Sequence, residues 1–258
     1  MNSRKDQLAA FDRLLTIMDE LRAQCPWDKK QTMESLRYLT IEETYELGDA
    51  ILENDLEEVK KELGDLLLHI VFYAKIGSET GDFDMADVAH DISEKLIRRH
   101  PHIYGDIKVK GEDEVKANWE KIKLQEGKKS VLEGVPNGLP ALVKANRIQE
   151  KVAGVGFDWE HPAQVLLKVK EELGELEEAV RAGNTDEVES ELGDVFFSMV
   201  NYARFLGINP ENALERTNKK FIQRFRFLES SAGRAGKKLG EMSLAEMDQY
   251  WEAAKKQD

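Results

Sequence analysis

The amino-acid sequence predicts an all-α protein made of two tandem helical bundles. Apolar residues recur at spacings of three and four along most of the chain, which is the period of a helix packed on one face. Only 8% of the 258 residues are aromatic and only six are proline, a mixture that favours helix over strand. The second half of the chain also repeats the pattern of the first, so we expect two similar bundles.

The helical period and the residues that start helices define ten predicted helices. Asp55 and the pair Asn184-Thr185 stand where helices begin, and Pro210 suits a first helical turn. The helices predicted in the first half cover roughly residues 4–24, 34–53, 55–80, 84–99 and 112–126. Those predicted in the second half cover roughly residues 139–153, 161–182, 186–207, 210–232 and 243–256.

Two apolar segments show the repeat most clearly. ELGDLLLHIVFYA spans 62–74 and ELGDVFFSMVNYA spans 191–203, and EETYEL at 42–47 matches EELGEL at 171–176 in the same order. The stretch 126–140 contains Gly, Pro and Asn without a helical period and is predicted to be a linker. We therefore predict an N-terminal domain over 1–130 and a C-terminal domain over 131–258.

Composition narrows the range of partners. The net charge of −13 argues against a general binder of nucleic acid or of anionic membranes, since both need a basic surface, whereas acidic patches suit hard cations. Cys25 is the single cysteine, so neither an intrachain disulfide framework nor a thiolate metal site is expected. No apolar run reaches about 18 residues and the N-terminus lacks an apolar signal core, so we expect a cytoplasmic protein.

Acidic residues gather at matching places in the two halves. Residues three apart share a helix face, so Glu172 and Glu175 lie together, as do Glu191 and Asp194 on the following helix. A short connection makes the two helices antiparallel neighbours, and four carboxylates then surround one cleft. At the same offset the first half repeats the set with Glu43, Glu46, Glu62 and Asp65.

Asp194 raises a particular question because it stands inside an apolar helical run and is predicted to be buried. An unpaired carboxylate is costly to remove from water, so a bound cation is the predicted reason for its place. Four carboxylates suit a cluster of about two Mg²⁺ ions bridged to a polyphosphate. A single E-E-x-x-E in so acidic a chain is usually a solvated face, but its duplication beside E-x-x-D favours the metal interpretation.

These motifs resemble the MazG family of nucleoside triphosphate pyrophosphohydrolases. E-E-x-x-E followed after 15 residues by E-x-x-D occurs twice, and CPWDKKQT, RRHPHIYGD and GVGFDW extend the resemblance over nearly the full chain. The resemblance implies an all-α fold shared with dimeric dUTPases and phosphoribosyl-ATP pyrophosphohydrolases, and a homodimer. It also implies Mg²⁺-dependent hydrolysis, with Mn²⁺ as a substitute, of a broad range of NTPs and dNTPs to monophosphate and diphosphate. A role in nucleotide-pool cleaning or stress regulation would follow.

The resemblance also implies a role for individual residues. The eight carboxylates named above match metal ligands, and either Glu171 or Glu172 is expected to act as general base. Lys220 and Arg224 match catalytic, phosphate-holding residues, and Trp251 matches a base-contacting aromatic. The other expected substrate contacts are Asn201, Asn218 and Lys255, with Lys95, Arg99, Trp119 and Lys123 in the first half. Without the resemblance, a Lys/Arg pair usually marks a solvated helix face and such a Trp a packing anchor.

The first half departs from the second at several positions. Phe72 stands where the second half has Asn201, Ser93 where it has Asn218, and His69 where it has Ser198. The first half thus keeps the carboxylates but loses part of the polar lining. We predict that the second half carries most of the activity.

Other functions remain open at this point. A di-iron carboxylate bundle needs paired Glu-x-x-His motifs, which the five histidines do not supply, and no P-loop motif is present. A helical scaffold would explain the amphipathic helices but not the duplicated carboxylates. An enzyme selective for dUTP or for phosphoribosyl-ATP would use the same metal chemistry.

Overall fold

The computed structural model describes residues 1–111, 114–115, 118–119, 122 and 130–256. Within these residues the chain forms helices and turns and contains no strand, which confirms the predicted all-α class. The chain divides into two compact units, Met1–Lys110 and Gly111–Asp258. The domain boundary placed at residue 130 stays a prediction.

The first unit contains five helices within the described residues. They are α1 (Arg4–Gln24), α2 (Met33–Glu53), α3 (Leu56–Thr80), α4 (Met85–Arg99) and the short α5 (Pro101–Tyr104). Ser3, Thr32 and Asp84 form capping boxes at the starts of α1, α2 and α4. The predicted helix over 112–126 falls mostly outside the described residues.

The core of the first unit joins α1, α2 and α3. Met18, Leu36, Val71 and Phe72 form a cluster that solvent scarcely reaches. Arg22 lies beside this cluster, with its guanidinium over the ring of Phe72. The apolar period of the three helices thus becomes one continuous core.

The second unit contains five helices within the described residues. They are α6 (Ala141–Ala153), α7 (Pro162–Ala182), α8 (Thr185–Phe205), α9 (Pro210–Arg234) and α10 (Leu244–Lys255). α7 packs on α8, α8 packs on α6, and α9 packs on α10. In the described part of the predicted linker, the buried ammonium of Lys151 donates to the carbonyls of Val131 and Glu133 at 3.0 and 3.2 Å.

Two helical hairpins bring the acidic motifs together. α2 turns into α3 at Asn54, and α7 turns into α8 at Gly183, both in the left-handed conformation with φ of 56° and 74°. Such a helix end favours Gly and tolerates Asn. The next residues, Asp55 and Asn184, cap the following helices as predicted. These tight reversals place the carboxylates of consecutive helices side by side.

Part of the apolar face predicted to be core is exposed in the single chain. Val169 and Val195 are buried, but Leu173, Phe196 and Met199 are 44%, 56% and 48% exposed. The predicted burial of Asp194 is wrong for the single chain: its carboxylate lies on the surface because its apolar neighbours also face outward. None of the described helices is long and apolar enough to cross a membrane.

Candidate functional site

Three carboxylates converge between α7 and α8. Glu172 and Glu175 lie one turn apart on α7, and Glu191 lies on α8, as the three-residue spacing predicts. Oxygen atoms of all three lie within 4.8 Å of one another. Glu172 is buried, Glu191 is half-buried and Glu175 is exposed, so the cluster opens toward solvent on one side.

Lys168 extends this cluster with a cation from the chain itself. Its ammonium lies 2.8 Å from Glu172 Oε1 and 2.7 Å from Glu171 Oε1. These two carboxylates raise the pKa of Lys168 well above its usual range, which keeps it charged. Glu171, one of the two candidate general bases, is therefore held in place beside the cluster.

A second group of three carboxylates converges between α2 and α3. Glu43 and Glu46 lie on α2 and Glu62 on α3, again with oxygen atoms within 4.8 Å of one another. Here the buried member is Glu62, and its Oε2 atom has no hydrogen-bond partner. The buried carboxylate therefore lies on the second helix of the pair in the first half (Glu62) and on the first helix of the pair in the second half (Glu172).

Crowding of like charges is visible in both groups. Burial is the main cause that raises the pKa of Glu62, and the carboxylates of Glu46 and Glu43 raise it further. In the second half, the hydrogen bond with Glu172 is the main cause that raises the pKa of Glu175. Each group thus disfavours full ionisation unless positive charge is added.

Asp65 and Asp194, the fourth predicted ligand in each half, lie outside the two groups that close to within 4.8 Å. Each stands one helical turn beyond the clustered glutamate, on α3 and α8, and each is exposed. Their role as ligands stays a prediction.

The phosphate- and base-contacting residues predicted for the second half lie on its last two helices. Lys220 and Arg224 are on α9, and Trp251 and Lys255 are on α10. The guanidinium of Arg224 lies 5.9 Å from the centre of the Trp251 ring, and that ring lies 4.9 Å from the ring of Phe221. Trp251 therefore packs against the helix that carries the basic pair.

The remaining predicted contacts are spread over several helices. Asn201 lies on α8, where its Oδ1 accepts from Arg204, and Asn218 on α9 donates to Glu215 at 3.1 Å. Lys95 and Arg99 lie on α4, and Trp119 is partly exposed. Lys123 lies outside the described residues.

Sequence reasoning missed two features near the carboxylates. It did not find Lys168, although a lysine four residues before Glu172 where the repeat has Leu39 was a readable difference. It also missed Gln149 and a cavity of about 500 Å³ between α6, α8 and residues 156–159. No local pattern signals such a cavity, because a loop and two separate helices form it.

The donor set fits a hard divalent cation. Carboxylate oxygens are the ligands that Mg²⁺ prefers, and Glu62 Oε2 is a buried oxygen that lacks a partner. The fold and these groups define a class: helical-bundle proteins with duplicated carboxylate clusters suited to divalent cations.

Comparison with known proteins identifies the family within this class. Residues 31–104 and 160–226 match the MazG nucleotide pyrophosphohydrolase domain. The chain is 43% identical to the nucleoside triphosphate pyrophosphohydrolase of Escherichia coli (strain K12), over 96% of this chain and 98% of that protein. It is 46% identical to the nucleoside triphosphate pyrophosphohydrolase/pyrophosphatase MazG of Thermotoga maritima, over 95% of each. The chain belongs to the MazG family, as its motifs predicted.

A solved structure, the mazG-related protein from Thermotoga maritima, aligns with 44% of this chain and 98% of its own. That alignment has 26% sequence identity and a TM-score of 0.40.

Proposed function

We propose that this protein hydrolyses nucleoside triphosphates to nucleoside monophosphates and diphosphate in a Mg²⁺-dependent reaction. Membership of the MazG family and the names of the full-length relatives support this reaction class. The observation that carries the proposal is the convergence of Glu172, Glu175 and Glu191 at one point. The net charge of −13 disfavours nucleic acid as a partner.

We propose that the clustered carboxylates hold the metal. In the second half the ligands are Glu172, Glu175, Glu191 and Asp194, and in the first half Glu43, Glu46, Glu62 and Asp65. A Mg²⁺ or Mn²⁺ ion held by these carboxylates would supply Lewis acidity, which favours deprotonation of the attacking water and offsets charge on the phosphates. One added dication relieves the repulsion that raises the pKa of Glu62 and of Glu175.

Other residues of the chain position substrate and move protons. Glu171 or Glu172 accepts a proton from the attacking water, and Lys168 holds both carboxylates in place for that transfer. Lys220 and Arg224 offset the negative charge that develops on the phosphate oxygens during the reaction. Lys255, Asn201, Asn218 and Trp251 complete the substrate contacts, with Lys95, Arg99, Trp119 and Lys123 in the matching places of the first half.

We propose that the second half carries most of this activity. Phe72 fills the core of the first unit at the position where the second half offers the polar Asn201. Lys168 is also replaced by the partly buried Leu39 in the first half. The first half thus keeps a metal cluster with fewer polar groups beside it.

A homodimer is part of the proposal. α7 and α8 expose apolar side chains that follow the same helical period as the buried ones, including Leu173, Phe196 and Met199. α4 has an amphipathic pattern and no fully buried residue. A second copy that covers these faces would remove this apolar surface from water. Sedimentation of the wild type and of a Phe196→Glu variant tests this, and a monomeric wild type contradicts it.

We propose broad activity on NTPs and dNTPs, in the cytoplasm, in cleaning the nucleotide pool or in stress regulation. The test is product analysis by ion-exchange chromatography with Mg²⁺ and each common NTP, dNTP and dUTP. Monophosphate plus diphosphate from many nucleotides is expected. Turnover of dUTP alone would identify a selective enzyme instead.

Three variants locate the reaction. Glu175→Ala should abolish product formation, and Glu46→Ala should reduce it less. Glu177→Ala serves as the matched control because it removes an exposed carboxylate from the same helix, one paired with Arg181. Full activity of a folded Glu175→Ala variant would contradict the assignment to the second half, and NDP plus phosphate would place the attack at another phosphorus.

A further inference from the structure

The segment that precedes α6 contains a dipeptide prone to chemical change. Asn137 is followed by Gly138, and the sequence contains no other Asn-Gly pair. Asparagine is a thermolabile residue, because the nitrogen of the next peptide bond can attack its side-chain amide. Gly138 has no side chain to block that attack, and both residues are exposed. The pair is therefore a candidate site of deamidation.

The two residues form the centre of a turn between two prolines. The N–H of Leu139 donates to the carbonyl oxygen of Pro136 at 3.4 Å, and Pro140 follows as the cap of α6. Within the described part of the chain, neither the Asn137 side chain nor the Gly138 N–H forms a hydrogen bond. Open space surrounds the place that a side chain at 138 would occupy. The attacking nitrogen and the amide that it attacks are thus both available.

Lys144, in the first turn of α6, acts on the peptide bond that joins Asn137 to Gly138. Its ammonium donates to the main-chain carbonyl oxygen of Asn137 at 2.6 Å. That oxygen belongs to the same peptide group as the Gly138 nitrogen. When this nitrogen loses its proton, negative charge spreads onto the oxygen, so the hydrogen bond from the ammonium becomes stronger. Lys144 therefore favours the deprotonated nitrogen that attacks.

A second lysine of α6 helps to hold this contact in place. Lys151 lies two turns beyond Lys144 and is 3% exposed. Its ammonium donates to the carbonyls of Val131 and Glu133 at 3.0 and 3.2 Å. A buried charge requires such partners, so these bonds fix the start of the segment against α6. The segment is thus bound to one helix by two lysines, and the carbonyl of Asn137 is one of the bound points.

We propose that Asn137 is a deamidation site promoted by Lys144. The Gly138 nitrogen, after it gives its proton to water or hydroxide, attacks Cγ of Asn137. A bond forms between this nitrogen and Cγ, the bond from Cγ to Nδ2 breaks, and Nδ2 takes up a proton and leaves as ammonia. Water then opens the cyclic imide at either carbonyl. The net reaction consumes water, releases ammonia and leaves aspartate or isoaspartate, with no oxidation or reduction.

Both products change the turn that Lys144 contacts. Each replaces a neutral amide by a carboxylate and so adds negative charge beside α6. Isoaspartate also adds a methylene group to the main chain, which displaces the carbonyl that Lys144 binds. The modification would therefore disturb the start of a helix that packs on α8.

The test is peptide mapping by mass spectrometry after prolonged incubation of the folded full chain. Cleavage after glutamate releases residues 134–150, which contain both Asn137 and Asn146. Asn146 is the internal control, because it lies within α6, precedes the bulky Arg147 and donates to Glu150 at 3.0 Å. Fragment ions assign the change from amide to acid to one asparagine or the other.

Asn137 should be converted well before Asn146. Lys144→Met should slow its conversion roughly three- to tenfold, the range of one hydrogen bond that water can reach, whereas Lys144→Arg keeps the donor and should resemble wild type. Lys170→Met removes an exposed lysine from α7 and should leave the rate unchanged. In guanidinium chloride the unfolded wild type and Lys144→Met should convert at the same rate, because unfolding separates Lys144 from the turn.

The opposite outcomes are equally clear. Equal conversion of Asn137 and Asn146, or conversion of neither, would overturn the proposal. Equal rates in folded wild type and folded Lys144→Met would overturn it as well, and faster conversion in Lys144→Met would show that the contact protects the turn.

Gly138→Ala provides a second variant that keeps Lys144. It crowds the attacking nitrogen, so it should slow the conversion of Asn137 in both the folded and the unfolded chain. An unchanged rate in this variant would contradict attack by that nitrogen. These measurements require no nucleotide and do not depend on the proposed hydrolysis.

Discussion

Replacing Lys168 by Met should strengthen divalent-cation binding at the second cluster. The ammonium lies 2.8 Å from Glu172 Oε1 and compensates part of the negative charge that a cation would otherwise neutralise. A Mg²⁺ ion bound at about 2.1 Å from that oxygen would lie within about 5 Å of the ammonium. The two cations would therefore repel each other, and removal of Lys168 would relieve this.

The size of the effect follows from the charges and the separation. A monovalent and a divalent cation about 5 Å apart repel by about 1.7 kcal/mol in a water-like dielectric. That dielectric is the appropriate one because the Lys168 side chain is 35% exposed. Since about 1.4 kcal/mol corresponds to a factor of ten, the dissociation constant should fall by roughly tenfold, and less at high salt.

The assay is a Mn²⁺ titration in which electron paramagnetic resonance measures the free ion. A Glu43→Gln/Glu46→Gln background silences the first cluster, so that the second is observed alone. Lys170→Met is the matched control because it removes a lysine from the exposed face of the same helix. If Lys168→Met binds Mn²⁺ no more tightly than Lys170→Met, the electrostatic argument is refuted, and weaker binding would show that Lys168 instead holds Glu172 in place.

Three further predictions concern stability. Arg22→Met should lower the free energy of unfolding of the first unit by about 2–3 kcal/mol in urea denaturation. The reason is that Arg22 is nearly buried and donates to Glu79 and to the carbonyls of Asp28 and Gln31. An equal loss in Glu79→Gln would show that the two carbonyls contribute nothing. Lys237 and the cap residue Ser243 lower the pKa of Glu246 to about 2. The ionised carboxylate therefore contributes to folding stability above its ordinary pKa of 4.5, and this contribution is lost as the pH falls toward 2. Unfolding followed by circular dichroism should show that the stability of Glu246→Gln depends less on acid than that of the wild type. Gly183→Ala should destabilise the protein by about 1 kcal/mol because φ is +74° at that position. Gly193 lies in a helix interior with open space around it, so Gly193→Ala should instead stabilise α8 by up to about 1 kcal/mol in thermal unfolding.

Most helix boundaries could be predicted from the sequence because their signals are local. Asp55, Asn184 and Pro210 act within one turn of the helix they start, and the observed helices begin there. The short helix α5 and the 3₁₀ turn at Asp28–Lys30 were missed, since neither is long enough to show a period. Local signals therefore define long helices well and single turns poorly.

Helical periodicity does not distinguish a core face from an interface. Val195 and Phe196 are adjacent apolar residues of the same predicted stripe, yet one is buried and the other is 56% exposed in the single chain. If a partner covers α8, both side chains are removed from water. A core face and a subunit interface therefore give the same apolar pattern in the sequence. The burial of Asp194 was mispredicted for this reason.

The carboxylate groups were predictable because each depends on two short-range facts. A spacing of three residues places Glu172 beside Glu175, and a two-residue reversal at Gly183 places Glu191 opposite them. The cavity depends instead on how residues 156–159 fold back over α6 and α8. Gln149 and Asn201 are 52 residues apart, and no spacing rule relates them.

The differences around the two clusters follow from the duplication itself. A repeat preserves spacing, so both halves retain three carboxylates within 4.8 Å, but it does not preserve the neighbours of those carboxylates. In the first half Glu62 is the buried member and one of its oxygens has no partner, whereas in the second half Glu172 is buried and paired with Lys168. The same ligand types should therefore bind a cation with different affinity in the two halves. Two equal dissociation constants, measured separately in Glu46→Gln and Glu175→Gln, would show that these neighbours have no influence on the clusters.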